Sequence, residues 1–299
     1  MRKISKSILL LSVFGILLVD AKARIHLVGK NLNCIKGDTV KSNPVDPLHP
    51  NYIAAPMQEW EKKFAAFQFK VYKKDGHTLP YRIHQLENPE RGKKYPLVLF
   101  FHGAGERGLD NRKQFLRFTT IPFWDKYPCY DLAPQCPPVV TGKPEEGSVW
   151  VQTSFGANEH SMKQQPTWSM QLAMDLLDKI MDNKHIDHTR IYVTGLSMGG
   201  FATWEILQRE GGKFAAAVPV CGGADLAYAP KLINIPIWVF HGDADATVPV
   251  KRSRDEVAAI TAAGGHPKYT ELPGIGHGAW AETYPRVEVW DWLFSQQKK

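Results

Sequence analysis

The sequence predicts an α/β fold, a mostly parallel β-sheet with helices packed on both faces. Short apolar runs such as Pro96–Phe101 and Ile235–Phe240 each end at a His-Gly pair. Runs of this length without polar alternation are typical of strands buried on both faces of a parallel sheet. Stretches with helical spacing separate the runs, and strands that alternate with helices favour a parallel arrangement.

The first half of this α/β pattern contains four predicted strands and one predicted helix. Phe69–Val71 and Leu79–Gln85 flank a turn at Lys74-Asp75-Gly76, which is the pattern of a β-hairpin. Pro96–Phe101 is the third strand, and Cys129–Ala133 is the fourth. The next element is a helix with one apolar face. It spans Trp168–Met181, and its face carries Leu172, Leu176, Leu177 and Ile180.

The second half continues the alternation. The strand Arg190–Thr194 ends at Gly195, and the helix Phe201–Gln208 follows it. The carboxyl ends of parallel strands meet at one edge of the sheet, where sites form, so the glycine-bearing loops at these ends are candidate site loops. The remaining predicted elements are the strands Phe214–Val220, Ile235–Phe240 and Tyr269–Leu272 and the helices Val250–Ala263 and Val287–Gln297.

Composition excludes several protein classes. The chain has 299 residues, of which 43% are hydrophobic and 22% are charged, and these are ordinary values for a globular protein. A fibrous repeat, a mainly disordered chain and a multispanning membrane protein are therefore excluded. The formal charge is +7, and because no dense basic cluster occurs, we expect no nucleic-acid partner. Oligomeric state is left undetermined.

Residues 1–23 have the pattern of a secretory signal peptide. Arg2, Lys3 and Lys6 precede the apolar run Ile8–Val19, and Ala21-Lys22-Ala23 supplies small residues at a cleavage site. The run is shorter than the roughly 20 residues that a membrane span needs. We therefore expect export to the periplasm or the medium, with no membrane association after cleavage.

The mature chain is predicted to have two parts. Residues 24–67 form an N-terminal extension interrupted by prolines, and residues 68–299 form the catalytic domain. In an oxidising compartment disulfides become possible, but sequence alone does not determine their pairing. The cysteines concerned are Cys34, Cys129, Cys136 and Cys221.

The strongest chemical motif surrounds Ser197. Gly195-Leu196-Ser197-Met198-Gly199 has the form G-x-S-x-G and lies between a predicted strand and a predicted helix. This context holds a nucleophilic serine on a sharp turn, with the amides at the helix start facing any developing negative charge. Ser197 is therefore the predicted nucleophile. Met198 is expected to supply one oxyanion amide, and Ala104, in the glycine-rich loop after Pro96–Phe101, the other.

A serine nucleophile needs a base and an acid that orients it. On this fold the order along the chain is serine, acid, histidine, which favours His277 in the glycine-flanked loop after the last strand. Asp243 and Asp245 both follow the strand Ile235–Phe240. Asp245 has more room to reach His277, whereas Asp243 could cap the turn. Asp225 is a third candidate acid.

These loops resemble the α/β-hydrolase superfamily over roughly Phe69–Phe294, and more narrowly the exported esterases of carbohydrate esterase family one with their prolyl-oligopeptidase-like and dienelactone-hydrolase-like relatives. The resemblance rests on HGAGERG, LAPQCP, YVTGLSMGG, HGDADATVP and GHGAW. It implies Asp245 as the acid, Ala104 as an oxyanion donor, His277 as the base, and ester cleavage without a metal or organic cofactor. The implied partner is a small-molecule or polysaccharide ester, with acetyl or feruloyl-type acyl groups.

Two other functions and three aromatic residues are left open by the sequence. A serine peptidase could use the same triad on amides, and a non-catalytic binding protein could retain the scaffold. Trp124, Trp150 and Trp280 are candidates to line the substrate site. Each could equally be a packing residue.

Overall fold

The computed structural model describes residues 66–117, 126–138 and 148–298, and within them eight strands form one sheet. The strand order is β1-β2-β4-β3-β5-β6-β7-β8. The strands are β1 (Phe67–Lys74), β2 (His77–His84), β3 (Tyr95–Phe101), β4 (Tyr130–Pro134), β5 (Ile186–Leu196), β6 (Ala216–Val220), β7 (Trp238–Gly242) and β8 (Lys268–Leu272).

The sheet is parallel except at one edge. β1 and β2 form an antiparallel hairpin, and β2 pairs antiparallel with β4. All other neighbours are parallel, which confirms the predicted α/β fold. The helices are α1 (Trp168–Met181), α2 (Met198–Glu210), α3 (Lys251–Ala262), α4 (Trp280–Thr283) and α5 (Val287–Ser295).

The central strand β3 shows why its sequence is apolar throughout. Leu97, Leu99 and Phe101 pack into the core on the face that carries α1, α2 and part of α3. Val98 and Phe100 pack on the opposite face against α5. Because successive side chains of a strand point to opposite faces, burial on both sides requires an apolar residue at every position.

The predicted elements are all present, with shifts at their ends. The helix Trp168–Met181 has the predicted bounds, and Thr167 caps it by accepting a hydrogen bond from the Met170 amide. β7 begins at Trp238 rather than Ile235, two residues after Pro236, which has no backbone N–H to donate. Among the described helices, none has the length and hydrophobicity to cross a membrane.

Two predictions lie partly or wholly outside the described residues. The signal peptide of residues 1–23 and all but the last residues of the extension 24–67 fall there, as does Cys34. The cysteines that are described, Cys129, Cys136 and Cys221, are all buried.

Candidate active site

Ser197 lies on a strained turn between β5 and α2. Its backbone has φ 55° and ψ −119°, a conformation that non-glycine residues rarely adopt. The turn forms only because neighbouring residues have no side chain: a Cβ on Gly199 would lie 1.9 Å from the Phe101 carbonyl oxygen, and one on Gly195 would lie 2.3 Å from the Gly199 carbonyl oxygen. The glycines of the motif thus let the start of α2 approach the end of β3.

The three predicted triad residues form one hydrogen-bonded chain. Ser197 Oγ lies 2.8 Å from His277 Nε2, and His277 Nδ1 lies 2.8 Å from Asp245 Oδ2. A carboxylate can only accept, so Nδ1 carries the ring proton and Nε2 is left to accept the serine proton. The Asp245 side chain has no exposed surface, whereas the His277 side chain is 24% exposed. The imidazole therefore stands between a buried charge and solvent.

The Asp245 carboxylate is held from both of its oxygens. Oδ1 accepts the backbone amides of Thr247 and Val248 at 2.8 and 2.9 Å. Oδ2 faces His277 and also lies 3.3 Å from Nε2 of the buried His241. Burial opposes ionisation of this carboxyl, but the donors from His241, His277 and the two amides outweigh it and hold the pKa of Asp245 well below its usual range. Asp245 is therefore ionised whenever the protein is folded at ordinary pH.

The competing acids lie elsewhere. Asp243 is exposed and accepts the Gly274 amide at 2.7 Å, which fastens the turn at the start of the His277 loop. Asp225 caps a short 3₁₀ helix over Leu226–Lys231 and accepts the Met162 amide at 2.8 Å. The structure therefore brings only Asp245, of these three, to His277.

The two predicted oxyanion donors lie at the start of α2 and in the loop after β3. Met198 is the first residue of α2, so its amide has no partner within the helix. Ala104 begins a 3₁₀ turn, Ala104–Glu106, directly after β3. The Arg107 side chain holds this turn by donating to the Ala104 carbonyl at 2.9 Å and to the Ser148 carbonyl at 2.9 Å. Met198 thus lies next to Ser197, and Ala104 follows β3, the strand that pairs with β5.

The three tryptophans differ in position. Trp280 is partly exposed at the start of α4, and its ring packs edge-on against His277 with centroids 5.3 Å apart. Trp150 has no exposed surface, packs edge-on against Phe101 and donates to the His102 carbonyl at 3.3 Å. The expectation that Trp150 contacts substrate is therefore corrected, because a wholly buried ring offers no contact surface. Trp124 lies outside the described residues.

Cys221 lies behind the triad at the end of β6. It is fully buried with φ 41°, and its thiol lies 3.8 Å from the His277 carbonyl oxygen. Donor atoms of Cys221, Asp245 and His277 all lie within 4.8 Å of one another. Burial raises the pKa of the Cys221 thiol well above its ordinary value, and the other two side chains are already bonded to each other. This cysteine therefore packs behind the triad as a protonated thiol.

Sequence reasoning missed the residues that fix the loop of residues 148–165. Arg252, on α3, donates to the Ala157 carbonyl at 3.1 Å, contacts His160 Nδ1, and lies 5.0 Å from the Phe201 ring centroid. The Phe155 ring lies 5.6 Å from Phe201, which is one helical turn after Ser197. The loop is thus pinned beside the start of α2. No sequence motif marks Arg252, because its hydrogen-bond partners Ala157 and His160 are more than 90 residues away along the chain.

Behind this loop, Glu256 is a buried carboxyl whose ionisation the fold opposes. It has no exposed surface, and among the described residues neither oxygen has a hydrogen-bond partner. Burial first, and then the charge of Asp225, raise the pKa of Glu256 to about 8, although Arg252 acts in the opposite direction. The folded protein therefore keeps this proton at pH values where the unfolded chain has lost it.

We expect Glu256→Gln to stabilise the protein increasingly as pH rises. A carboxyl with a raised pKa contributes stability that is complete below about pH 4.5 and is lost progressively up to about pH 8. Glutamine cannot ionise, so the difference in the free energy of unfolding should grow from near zero at pH 4.5 to about 3–5 kcal/mol at pH 9. Urea unfolding at pH 5, 7 and 9 measures it.

The control for loss of a charge is the exposed Glu288→Gln on α5. A Glu256→Gln advantage that stayed the same at all three pH values would contradict this account, since it would mean that Glu256 is already charged in the folded protein.

Comparison with known proteins agrees with this geometry. A family model described as phospholipase/carboxylesterase matches residues 81–288, which include all eight strands except β1 and the start of β2. The match therefore covers well over half of the chain.

This chain spans less than two thirds of the length of each of the following relatives. A solved thermostable esterase is 36% identical with a TM-score of 0.69, covering 78% of this chain and 64% of that one. A bifunctional acetylxylan esterase/xylanase from Neocallimastix patriciarum is 32% identical over 101 residues, so the match spans 33% of this chain and 15% of the relative. The acylaminoacyl peptidase of Pyrococcus horikoshii is 16% identical with a TM-score of 0.56, covering 80% of this chain and 43% of that one, which is a likeness of fold alone.

Proposed function

The chain belongs to the phospholipase/carboxylesterase family, and from this premise we propose that it is an exported serine esterase that removes acyl groups, of acetyl or feruloyl type, from plant polysaccharides or their fragments. The observation that carries the proposal is the continuous hydrogen-bonded chain from Ser197 Oγ through His277 to Asp245. A serine on a strained turn, with a base and a buried carboxylate in this order, is the arrangement that acyl transfer requires.

The first step is acylation of Ser197. His277 Nε2 takes the hydroxyl proton as Oγ attacks the ester carbonyl carbon. The imidazole becomes positively charged, and the ionised Asp245 beside it stabilises that charge across the 2.8 Å hydrogen bond. The tetrahedral intermediate then breaks down, and His277 returns the proton to the leaving alcohol.

The negative charge on the carbonyl oxygen is stabilised by main-chain amides. Met198 and Ala104 donate to it, and donors held in place before the reaction need no reorganisation when the charge develops. Water then attacks the acyl-enzyme by the same route, with His277 again acting as base. The acid is released and Ser197 is regenerated.

The substrate class is supported by one relative and by the resemblance of the sequence motifs. The Neocallimastix protein is described as an acetylxylan esterase/xylanase, and the sequence motifs resemble exported carbohydrate esterases. A solved ferulic acid esterase is similar in fold at 15% identity with a TM-score of 0.53. Export is supported by the pattern of residues 1–23, and its check is a periplasmic or extracellular protein whose first residue is Arg24.

A substrate panel tests the proposal. Purified protein is assayed on p-nitrophenyl acetate, acetylated xylan, methyl ferulate and an aminoacyl p-nitroanilide, with fluorophosphonate labelling followed by peptide mass spectrometry. We expect ester hydrolysis and a single label on Ser197. Faster cleavage of the anilide than of any ester would favour a peptidase. Absence of both turnover and label would favour a non-catalytic binding protein.

A further inference from the structure

His102 is a buried histidine that directly precedes the segment Gly103–Glu106, which carries the Ala104 amide and is called the oxyanion loop. It follows β3 and has no exposed surface. Its Nδ1 lies 2.6 Å from the Gly103 carbonyl oxygen, and its Nε2 lies 2.9 Å from the Cys136 backbone nitrogen. Neither ring nitrogen faces Ser197 or His277, so the triad mechanism makes no use of this residue.

These two partners fix the tautomer of the ring. A carbonyl oxygen can only accept, so Nδ1 must carry the proton; a backbone N–H can only donate, so Nε2 must be unprotonated. Protonation of Nε2 would place its N–H against the Cys136 N–H, and two donors cannot form a hydrogen bond with each other. Burial is the main cause that lowers the pKa of His102 to about 4, and the nearby Arg107 adds to it. The ring is therefore neutral, with one defined donor.

The acceptor of that donor is half of the oxyanion peptide. The carbonyl of Gly103 and the N–H of Ala104 belong to the same planar trans peptide, in which the two groups point in opposite directions. Fixing the direction of the carbonyl therefore fixes the direction of the N–H. A hydrogen bond on the carbonyl also polarises the peptide and strengthens the N–H as a donor.

We propose that His102 is a positioning residue for the oxyanion hole, which aims the Ala104 amide at the reacting carbonyl by holding the Gly103 carbonyl from behind. The inference rests on the proposed function, because it assigns the Ala104 amide a role in ester hydrolysis. His102 itself touches no reacting atom.

The surroundings leave this peptide little freedom. The Glu106 amide also donates to the Gly103 carbonyl, at 3.3 Å, within the 3₁₀ turn. A Cβ on Gly103 would lie 2.8 Å from a methyl carbon of Leu196 and 2.9 Å from a carboxylate oxygen of Glu106. Trp150 donates to the His102 carbonyl at 3.3 Å. The His102 ring itself packs edge-on against the Trp150 ring, with centroids 5.4 Å apart, and accepts the Cys136 amide at Nε2. It is therefore held between the segment that follows β4 and the Gly103 carbonyl.

A matched pair of substitutions tests the role of the Nδ1 donor. The side-chain nitrogen of asparagine can occupy the position of Nδ1, whereas the amide of glutamine reaches only to the position of Nε2. His102→Asn keeps a donor for the Gly103 carbonyl, and His102→Gln keeps only a partner for the Cys136 amide. Loss of an oxyanion donor lowers kcat by about 10²–10³-fold. We expect misaiming in His102→Gln to lower kcat by about 10- to 100-fold with KM within about 3-fold, and His102→Asn to stay within about 5-fold of the wild type.

The outcomes separate the inference from the proposed function. A wild-type protein that hydrolyses no ester contradicts the proposed function. Wild-type turnover with unchanged kcat in His102→Gln contradicts the inference alone, and so does an equal loss in both variants, because a merely structural role would not distinguish them.

A second measurement uses the wild-type protein and so tests the inference even if the variants do not fold. In the wild-type protein labelled with ¹⁵N-histidine, the long-range ¹H–¹⁵N spectrum shows which ring nitrogen of His102 is protonated. We expect the proton on Nδ1 from pH 5 to 8. A proton on Nε2 would overturn the inference whatever the variants do.

Discussion

Ser197→Ala is expected to lower kcat for p-nitrophenyl acetate by about 10⁴- to 10⁶-fold, because no other group can form the acyl-enzyme. Alanine has the same backbone restrictions as serine, so the strained turn at φ 55° is no harder to form in the variant. The loss should therefore occur without a change in thermal stability beyond about 1 kcal/mol. Initial rates with active-site titration measure the loss of kcat, and thermal unfolding measures the change in stability.

The chain offers a matched control for a serine that contacts a histidine. Ser253 Oγ lies 2.7 Å from Nδ1 of the buried His241, whose Nε2 faces Asp245, so His241, Asp245 and His277 separate Ser253 from the reacting atoms. Ser253→Ala should keep kcat within about 10-fold. Retention of wild-type turnover by Ser197→Ala would contradict the assignment of the nucleophile.

Asp245→Asn is expected to lower kcat by about 10³- to 10⁴-fold while the protein stays folded. Oδ1 of Asp245 accepts two backbone amides, so the asparagine oxygen should keep that position and its NH₂ group should face His277. A donor there requires Nδ1 to be unprotonated, which moves the ring proton to Nε2. The imidazole can then no longer accept the proton of Ser197, and the charge that stabilises the imidazolium is also lost.

Asp243→Asn is the control, two residues away in the same loop. Asp243 is exposed and only accepts the Gly274 amide, a bond that the asparagine oxygen can keep. We expect its kcat within about 3-fold of the wild type. If Asp243→Asn lost as much activity as Asp245→Asn, the loop as a whole, and not one carboxylate, would be responsible. Kinetics over pH 6–9 with both variants decides between these outcomes.

Much of the fold could be predicted because its causes are local. The run from Pro96 to Phe101 is apolar at every position, and the structure buries it on both faces. The helix Trp168–Met181 begins at a threonine cap and has one apolar face, and both features are visible in sequence. The ends of β6 and β7 were less predictable, since pairing with neighbouring strands decides where a strand begins.

By itself the sequence determined the order of strands and helices, the nucleophile motif at Ser197 and the histidine loop at His277, since each is encoded within a few neighbouring residues. Reasoning from the residues left open whether Asp243 or Asp245 is the acid that orients His277. The tertiary structure separates them, because the first reaches only the Gly274 amide whereas the second reaches His277. It also decides that Trp150 is buried and that the His102 ring contacts the Gly103 carbonyl. These outcomes depend on contacts between groups far apart in the chain, such as the 34 residues between His102 and Cys136, and no local pattern specifies which distant groups will meet.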